Sequence, residues 1–178
     1  MSYVQMKVYM KNNIEVYKYY SGKLGKKIYN APAQRKTPIN QLKYQDQKAS
    51  RICGWKIAEN FNKDDLWLTL TYPARQPIEP EKARKDISLF LAYLRRAYKK
   101  ENIELKYIYT AGRTKRGMVH FHMLVNKFDT SIIANLWRKI SGGGMSFKHL
   151  FLNEYGYVNY KKIADYLIKN SQETFYRK

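Results

Sequence analysis

Two histidines separated by one residue carry the densest chemistry in this chain. His120 and His122 sit in the run MVHFHMLV, residues 118–125. The run is apolar and reads as a β-strand, whose side chains alternate between faces. The two imidazoles therefore share a face, about 7 Å apart along the strand. That spacing suits two nitrogen ligands closing on one divalent metal. Val119, Phe121, Met123 and Val125 turn the other way, as a core face should. The competing reading is a pair of partly buried, hydrogen-bonded histidines, and a short motif alone does not separate the two.

A second reactive group lies near the C-terminus. On a helical wheel Ile163, Ala164, Leu167 and Ile168 form an apolar side. Lys162, Tyr166, Lys169 and Glu173 recur at i, i+4, i+7 and i+11 and share another stripe, with Asn170 at its edge. The lysines could lower the phenol's pKa or bind a phosphate beside it. Alone, the stripe reads as an exposed tyrosine on a solvated face. Beside paired histidines in a basic chain, Tyr166 becomes a nucleophile candidate for phosphodiester chemistry. The histidines would hold a metal that polarises the phosphate. The tyrosine would attack phosphorus, and lysine would stabilise the transition state or manage a proton. Tyr160, six residues earlier, is turned well away on the helix, so a single nucleophilic tyrosine is expected.

Charge names the partner class. Thirty-four Lys and Arg against 14 Asp and Glu leave +20, a field that favours a polyanion, with nucleic acid the default. Seventeen tyrosines and three tryptophans supply stacking surfaces for single strands, although most must be core. Cys53 is the lone cysteine, which excludes an internal disulfide and a cysteine-based zinc cluster. No stretch approaches the roughly 18 apolar residues of a membrane span, and no signal-peptide run opens the chain. The expectation is a soluble, cytoplasmic protein.

These groups need a scaffold. Residues 1–52 read as a basic arm or extension, with the cationic stretch 23–27, a short strand near residues 4–9, and a helix around 40–57. Phosphate contact is its expected role. Residues 53–178 read as the catalytic domain. In it, residues 67–72 form a strand. Pro80 opens a helix running to about Lys100. Residues 105–110 form a strand joined to the histidine strand by the glycine-bounded linker 112–117, an antiparallel hairpin. Asp129 or Thr130 caps a helix that Gly142, Gly143 and Gly144 end. Residues 145–151 form a further strand, and Asn159 caps the last helix through about Gln172. This order predicts an α+β fold: an antiparallel sheet with helices packed on one face and the histidines on the open one.

HFH followed downstream by Tyr166-Leu167-Ile168-Lys169 resembles the HUH endonucleases, with their histidine–hydrophobe–histidine strand and Tyr-x-x-Lys helix. LTLT at 68–71 resembles the family's first strand motif. IEVYKYYSGKLG, WLTLTYP, LKYIYT…KRGMVHFHMLV and ADYLIKN are similar to rolling-circle replication initiators of bacterial plasmids and filamentous phages. The resemblance implies an RRM-like or ferredoxin-like sheet of about five strands and a manganese or magnesium ion. It implies nicking of single-stranded or hairpin origin DNA, a covalent 5′-phosphotyrosine, a free 3′-hydroxyl and rejoining by the reverse reaction. By position, His120 and His122 would be metal ligands, Tyr166 the nucleophile and Lys169 its helper. Lys162, Arg113, Lys115 and Arg116 would contact DNA. The pattern departs at one point. Relatives place a glutamate ligand about eight residues before the first histidine, where this chain has Gly112. Asn170, Glu173, Glu104 and His149 are the candidates for third ligand.

A plasmid- or phage-encoded initiator in a bacterial host cell is the leading expectation, with host helicase and polymerase as partners because no GxxxxGK[ST] loop is present. Ending a round with one tyrosine needs a second molecule, hence a homodimer, or another nucleophile. A single-tyrosine transposase or relaxase is the nearest rival. A basic nucleic-acid-binding module without catalysis is the rival from another class.

Overall fold

The structure is a computed structural model. It describes residues 2–11, 13–21, 39–74, 77–114, 117–150, 152 and 155–172. The order is β1 (Ser2–Met10), β2 (Asn13–Ser21), α1 (Ile39–Asn60), β3 (Leu66–Thr71), α2 (Pro80–Lys100), β4 (Tyr107–Arg113), β5 (Val119–Val125), α3 (Thr130–Ser141), β6 (Met145–His149) and α4 (Tyr160–Gln172). The fold is α+β and RRM-like, with antiparallel sheets as expected. The main sheet has four strands in the order β4-β5-β3-β6. The β1 and β2 strands form a separate antiparallel hairpin. The N-terminal segment is thus more than an arm, because its residues 2–21 hold a paired ribbon. The cationic stretch 23–27 lies outside the described residues.

The expectation of helices on one face is corrected: they occupy both. On one face Leu66, Leu68, Leu70, Phe121 and Met123 pack against α2 and α3 through Ile87, Phe90, Leu94, Ile133 and Trp137. On the histidine face Trp67 and Leu124 pack against α1 and α4 through Ile57, Ile163, Ala164 and Leu167, and against Phe61 just past the end of α1. The apolar stripes of α1 and α4 have to be buried somewhere, and Trp67 and Leu124 make half of the histidine face apolar enough to receive them. Each buried Leu or Ile contributes about 1.5–3 kcal/mol. Helices α1 and α4 meet at Gly54 and Ala164. A Cβ at Gly54 would stand 3.7 Å from the alanine methyl. Asp165 of α4 accepts hydrogen bonds from Ser50 of α1 and Lys161 of α4, which fixes the rotation of α4.

Local signals set the element ends. Asp129 accepts from the amides of Ser131 and Ile132 at the start of α3. Gly142 closes α3 in the left-handed region at φ 68°. Gly143 then passes so close to β3 that a Cβ would stand 1.8 Å from the Thr71 carbonyl oxygen. Only glycine permits that approach, and it delivers β6 to the edge beside β3. Among the described residues no helix is long and apolar enough to cross a membrane.

Candidate active site

Strand β5 lies between two hydrogen-bonded neighbours, which holds its histidines rigidly. Thr69 and Thr71 of β3 pair with His122 and His120, and Thr110 and Gly112 of β4 pair with them from the other side. The two imidazoles share a face, as their spacing predicts. Their ring centroids are 4.7 Å apart and the rings stand edge to face at 76°.

Helix α4 carries the tyrosine to them. Asn159 caps it, accepting from the Lys162 amide at 2.9 Å. Ile163, Ala164 and Leu167 bury the inner side, which swings Tyr166 over the sheet. Its hydroxyl lies 3.0 Å from His122 Nε2. The phenol remains 43% exposed, so a substrate can reach it. Trp67 braces both groups: its ring stacks on His122 at 5.7 Å and 23°, and meets Tyr166 edge-on at 5.4 Å.

Burial, and then the neighbouring His120, lower the His122 pKa to about 4. His122 is therefore neutral around pH 7. It has one N–H and one lone pair to share between Thr69 Oγ1, 3.2 Å from Nδ1, and the Tyr166 hydroxyl at Nε2. A cavity of about 190 Å³ opens beside the pair, lined by Trp67, Thr69, His122, Tyr166 and three residues of the edge strand, Ser146, Phe147 and Lys148.

The expected residues divide clearly. His120, His122 and Tyr166 come together. Lys162 and Lys169 are exposed on α4, four residues before and three after Tyr166. Asn170 donates its side-chain amide to the Tyr166 carbonyl at 2.7 Å, which ties that nitrogen to the helix. Arg113 pairs with Val119, so it stands on the strand face opposite the histidines. Two of the alternatives for third ligand are not brought to the site. His149 pairs with Leu66 at the far end of β3, and Glu104 precedes β4 at the end remote from Gly112. Glu173, Lys115 and Arg116 lie outside the described residues. Thr69, Trp67, Ser146 and Lys148 were not among the expected site residues. The alternation of β3 places Trp67 and Thr69 on the histidine side of that strand, but nothing local reveals that β3 pairs with β5.

The donor set bears on a metal. Two imidazoles on one face, one of them neutral, fit a divalent ion that keeps positions open for water and phosphate oxygens. Among the described residues no three His, Cys, Asp or Glu side chains converge. At Gly112, the position at which a carboxylate ligand is expected, a Cβ would stand 2.9 Å from His120 Nε2. The His120 ring leans into the space that a side chain at 112 would take.

Residues 65–175, more than half of the chain, match the model of a family described as Replication-associated protein ORF2/gene-2 protein. A search of curated proteins returns no match. Among solved structures, the chain is similar to the crystal structure of the hypothetical protein ORF119 from Sulfolobus islandicus rod-shaped virus 1. The TM-score is 0.41 at 15% identity, over 77% of this chain and 99% of that one.

Proposed function

The chain belongs to the replication-associated protein ORF2/gene-2 protein family, and from that premise we propose that it is an HUH-type replication initiator that nicks and rejoins single-stranded or hairpin origin DNA. The observation that carries this reading is the Tyr166 hydroxyl held 3.0 Å from His122 on the paired-histidine strand. A partly exposed phenol over a cleft, in a chain of charge +20, suits attack on a phosphodiester.

In the proposed reaction the Tyr166 oxygen bonds to phosphorus as the P–O3′ bond breaks. The phenolic proton leaves to water, and the departing 3′ oxygen takes a proton to become a 3′-hydroxyl. The product is a 5′-phosphotyrosine, and rejoining is the reverse. Trp67, edge-on to the Tyr166 ring, orients the phenol before attack, and His122 Nε2 would exchange the hydroxyl for the ion when one is bound. Lys162 and Lys169, on the same helical stripe as Tyr166, offset the negative charge that builds on phosphate. A divalent ion on His120 and His122 would supply the charge that polarises the scissile phosphate. Two imidazole nitrogen donors favour manganese over magnesium. The family's replication association supports the initiator reading over a transposase or relaxase.

The test is direct. Wild-type protein with manganese and single-stranded oligonucleotides should give a denaturation-resistant adduct that Tyr166→Phe abolishes. His120→Ala and His122→Ala should each lose the adduct while keeping much of the DNA affinity, which rests on distributed Lys and Arg contacts. One observation favours a second reading, a nucleic-acid-binding module without catalysis: glycine stands where the carboxylate ligand was expected. No adduct from wild type on its cognate origin strand would favour that module.

A further inference from the structure

The ribbon formed by β1 and β2 has two unlike faces. Its register pairs Val4 with Tyr19, Met6 with Tyr17 and Val8 with Glu15 on one side, and Gln5 with Lys18, Lys7 with Val16 and Tyr9 with Ile14 on the other. The first face is docked. Glu15 accepts the Trp55 indole N–H at 2.9 Å and the Tyr17 hydroxyl. The Arg51 guanidinium lies 4.5 Å over the Tyr17 ring. The Lys11 amide donates to Glu59 of α1 at 2.7 Å. The second face is turned to solvent. Tyr9 is 70% exposed, Ile14 59% and Val16 49%, and Lys7 and Lys18 are exposed beside them. The only charges on that face, among the described residues, are the two lysine cations. The ribbon's acid, Glu15, is on the docked side.

We propose that this outer face is a second DNA contact, separate from the tyrosine cleft, which enters the major groove of duplex DNA. Each strand has nine residues, giving a ribbon about 30 Å long with strands about 4.8 Å apart. The major groove, about 12 Å wide, admits a two-stranded ribbon. Lys7 and Lys18 reach flanking phosphates, and Tyr9, Ile14 and Val16 present apolar surface to base edges such as the thymine methyl. A single strand lacks such a groove, so the cleft and the ribbon divide the two forms of DNA that an origin presents. This rests on the reading of the chain as a DNA-acting replication protein, but not on its chemistry.

The test uses the full chain. Anisotropy of a fluorescent random-sequence 30-base-pair duplex is compared for wild type, Lys7→Gln/Lys18→Gln and Tyr9→Ala, with folding checked by circular dichroism. Manganese-dependent adduct formation on a single-stranded oligonucleotide is read in parallel. The double variant should bind the duplex about tenfold more weakly, with a salt dependence shallower by about two counterions. Tyr9→Ala should lose several-fold, and adduct formation should hold. Duplex affinity and salt slope equal to wild type would overturn the proposal. So would a proportional loss of adduct formation, because the ribbon would then be part of the cleft. If wild type forms no adduct but the double variant still loses duplex affinity, the nuclease reading fails and the ribbon stands.

Discussion

Gly112→Ala separates the geometry of the site from the stability of the fold. A new Cβ there stands 2.9 Å from His120 Nε2 and 3.0 Å from Cε1, while ordinary contact begins at 3.4 Å. The imidazole must retreat by about half an ångström or rotate. The obstructing atoms are the far end of a side chain, so the fold should yield cheaply, at about 1 kcal/mol. For a chain of this size that lowers Tm by about 2–4 °C. Chemistry is less forgiving, because reacting groups must be held to about 0.5 Å and a displacement of about 1 Å costs on the order of 100-fold. The single-turnover rate of manganese-dependent adduct formation, read on denaturing gels, should fall about 10- to 100-fold. A variant reacting at the wild-type rate would show that the position of His120 does not govern the reaction. A fall in Tm of more than about 10 °C would show that Gly112 serves the fold instead.

Three further outcomes follow from the same structure. Thr69→Val removes the oxygen 3.2 Å from His122 Nδ1 and should slow adduct formation about tenfold, while single-strand affinity stays unchanged; a parallel loss of affinity would make Thr69 a DNA contact. Gly143→Ala drives a Cβ into the Thr71 carbonyl at 1.8 Å, where backbone cannot swing aside, so thermal melting should fall by at least about 5 °C, and an unchanged Tm would refute the close approach. Burial pushes the Asp165 carboxyl up, but hydrogen bonds from Lys161 and Ser50 and the Lys161 charge outweigh it and hold it below its ordinary value of 3.8. Its stabilising contribution is therefore present above pH 3.8 and lost as pH falls through the folded-state value. The stability difference between wild type and Asp165→Asn, from urea unfolding, should shrink below pH 3.8, and a difference constant with pH would refute the assignment.

Elements with local signals were legible in the chain. Asp129 and Gly142 bracket α3, Pro80 opens α2, and β4 and β5 pair antiparallel as expected, with Gly112 and Arg113 inside β4 rather than in the linker. The two imidazoles and the phenol were legible as well, because period-2 and period-3.6 spacing fix faces without tertiary knowledge. The rest depended on distance along the chain. Strand β2 was missed because Lys18 and the basic run after it read as a solvated arm, while its partners, Trp55 and Arg51, sit on a helix some 40 residues away. The covering of the histidine face was missed because α1 and α4 find Trp67 and Leu124 only after the sheet has assembled. Alternation puts Thr69 and Trp67 on one face of their strand, yet their neighbour across the ladder cannot be read from alternation alone.

Peptide mapping of the covalent product tests the central claim most directly. After reaction with a single-stranded oligonucleotide and manganese, nuclease trimming and trypsin should leave residues 163–169, IADYLIK, carrying a 5′-linked nucleotide on Tyr166. The same peptide from Tyr166→Phe should be unmodified. A nucleotide on another residue, or a wild-type protein that cuts its origin strand without any peptide-linked nucleotide, would contradict the account.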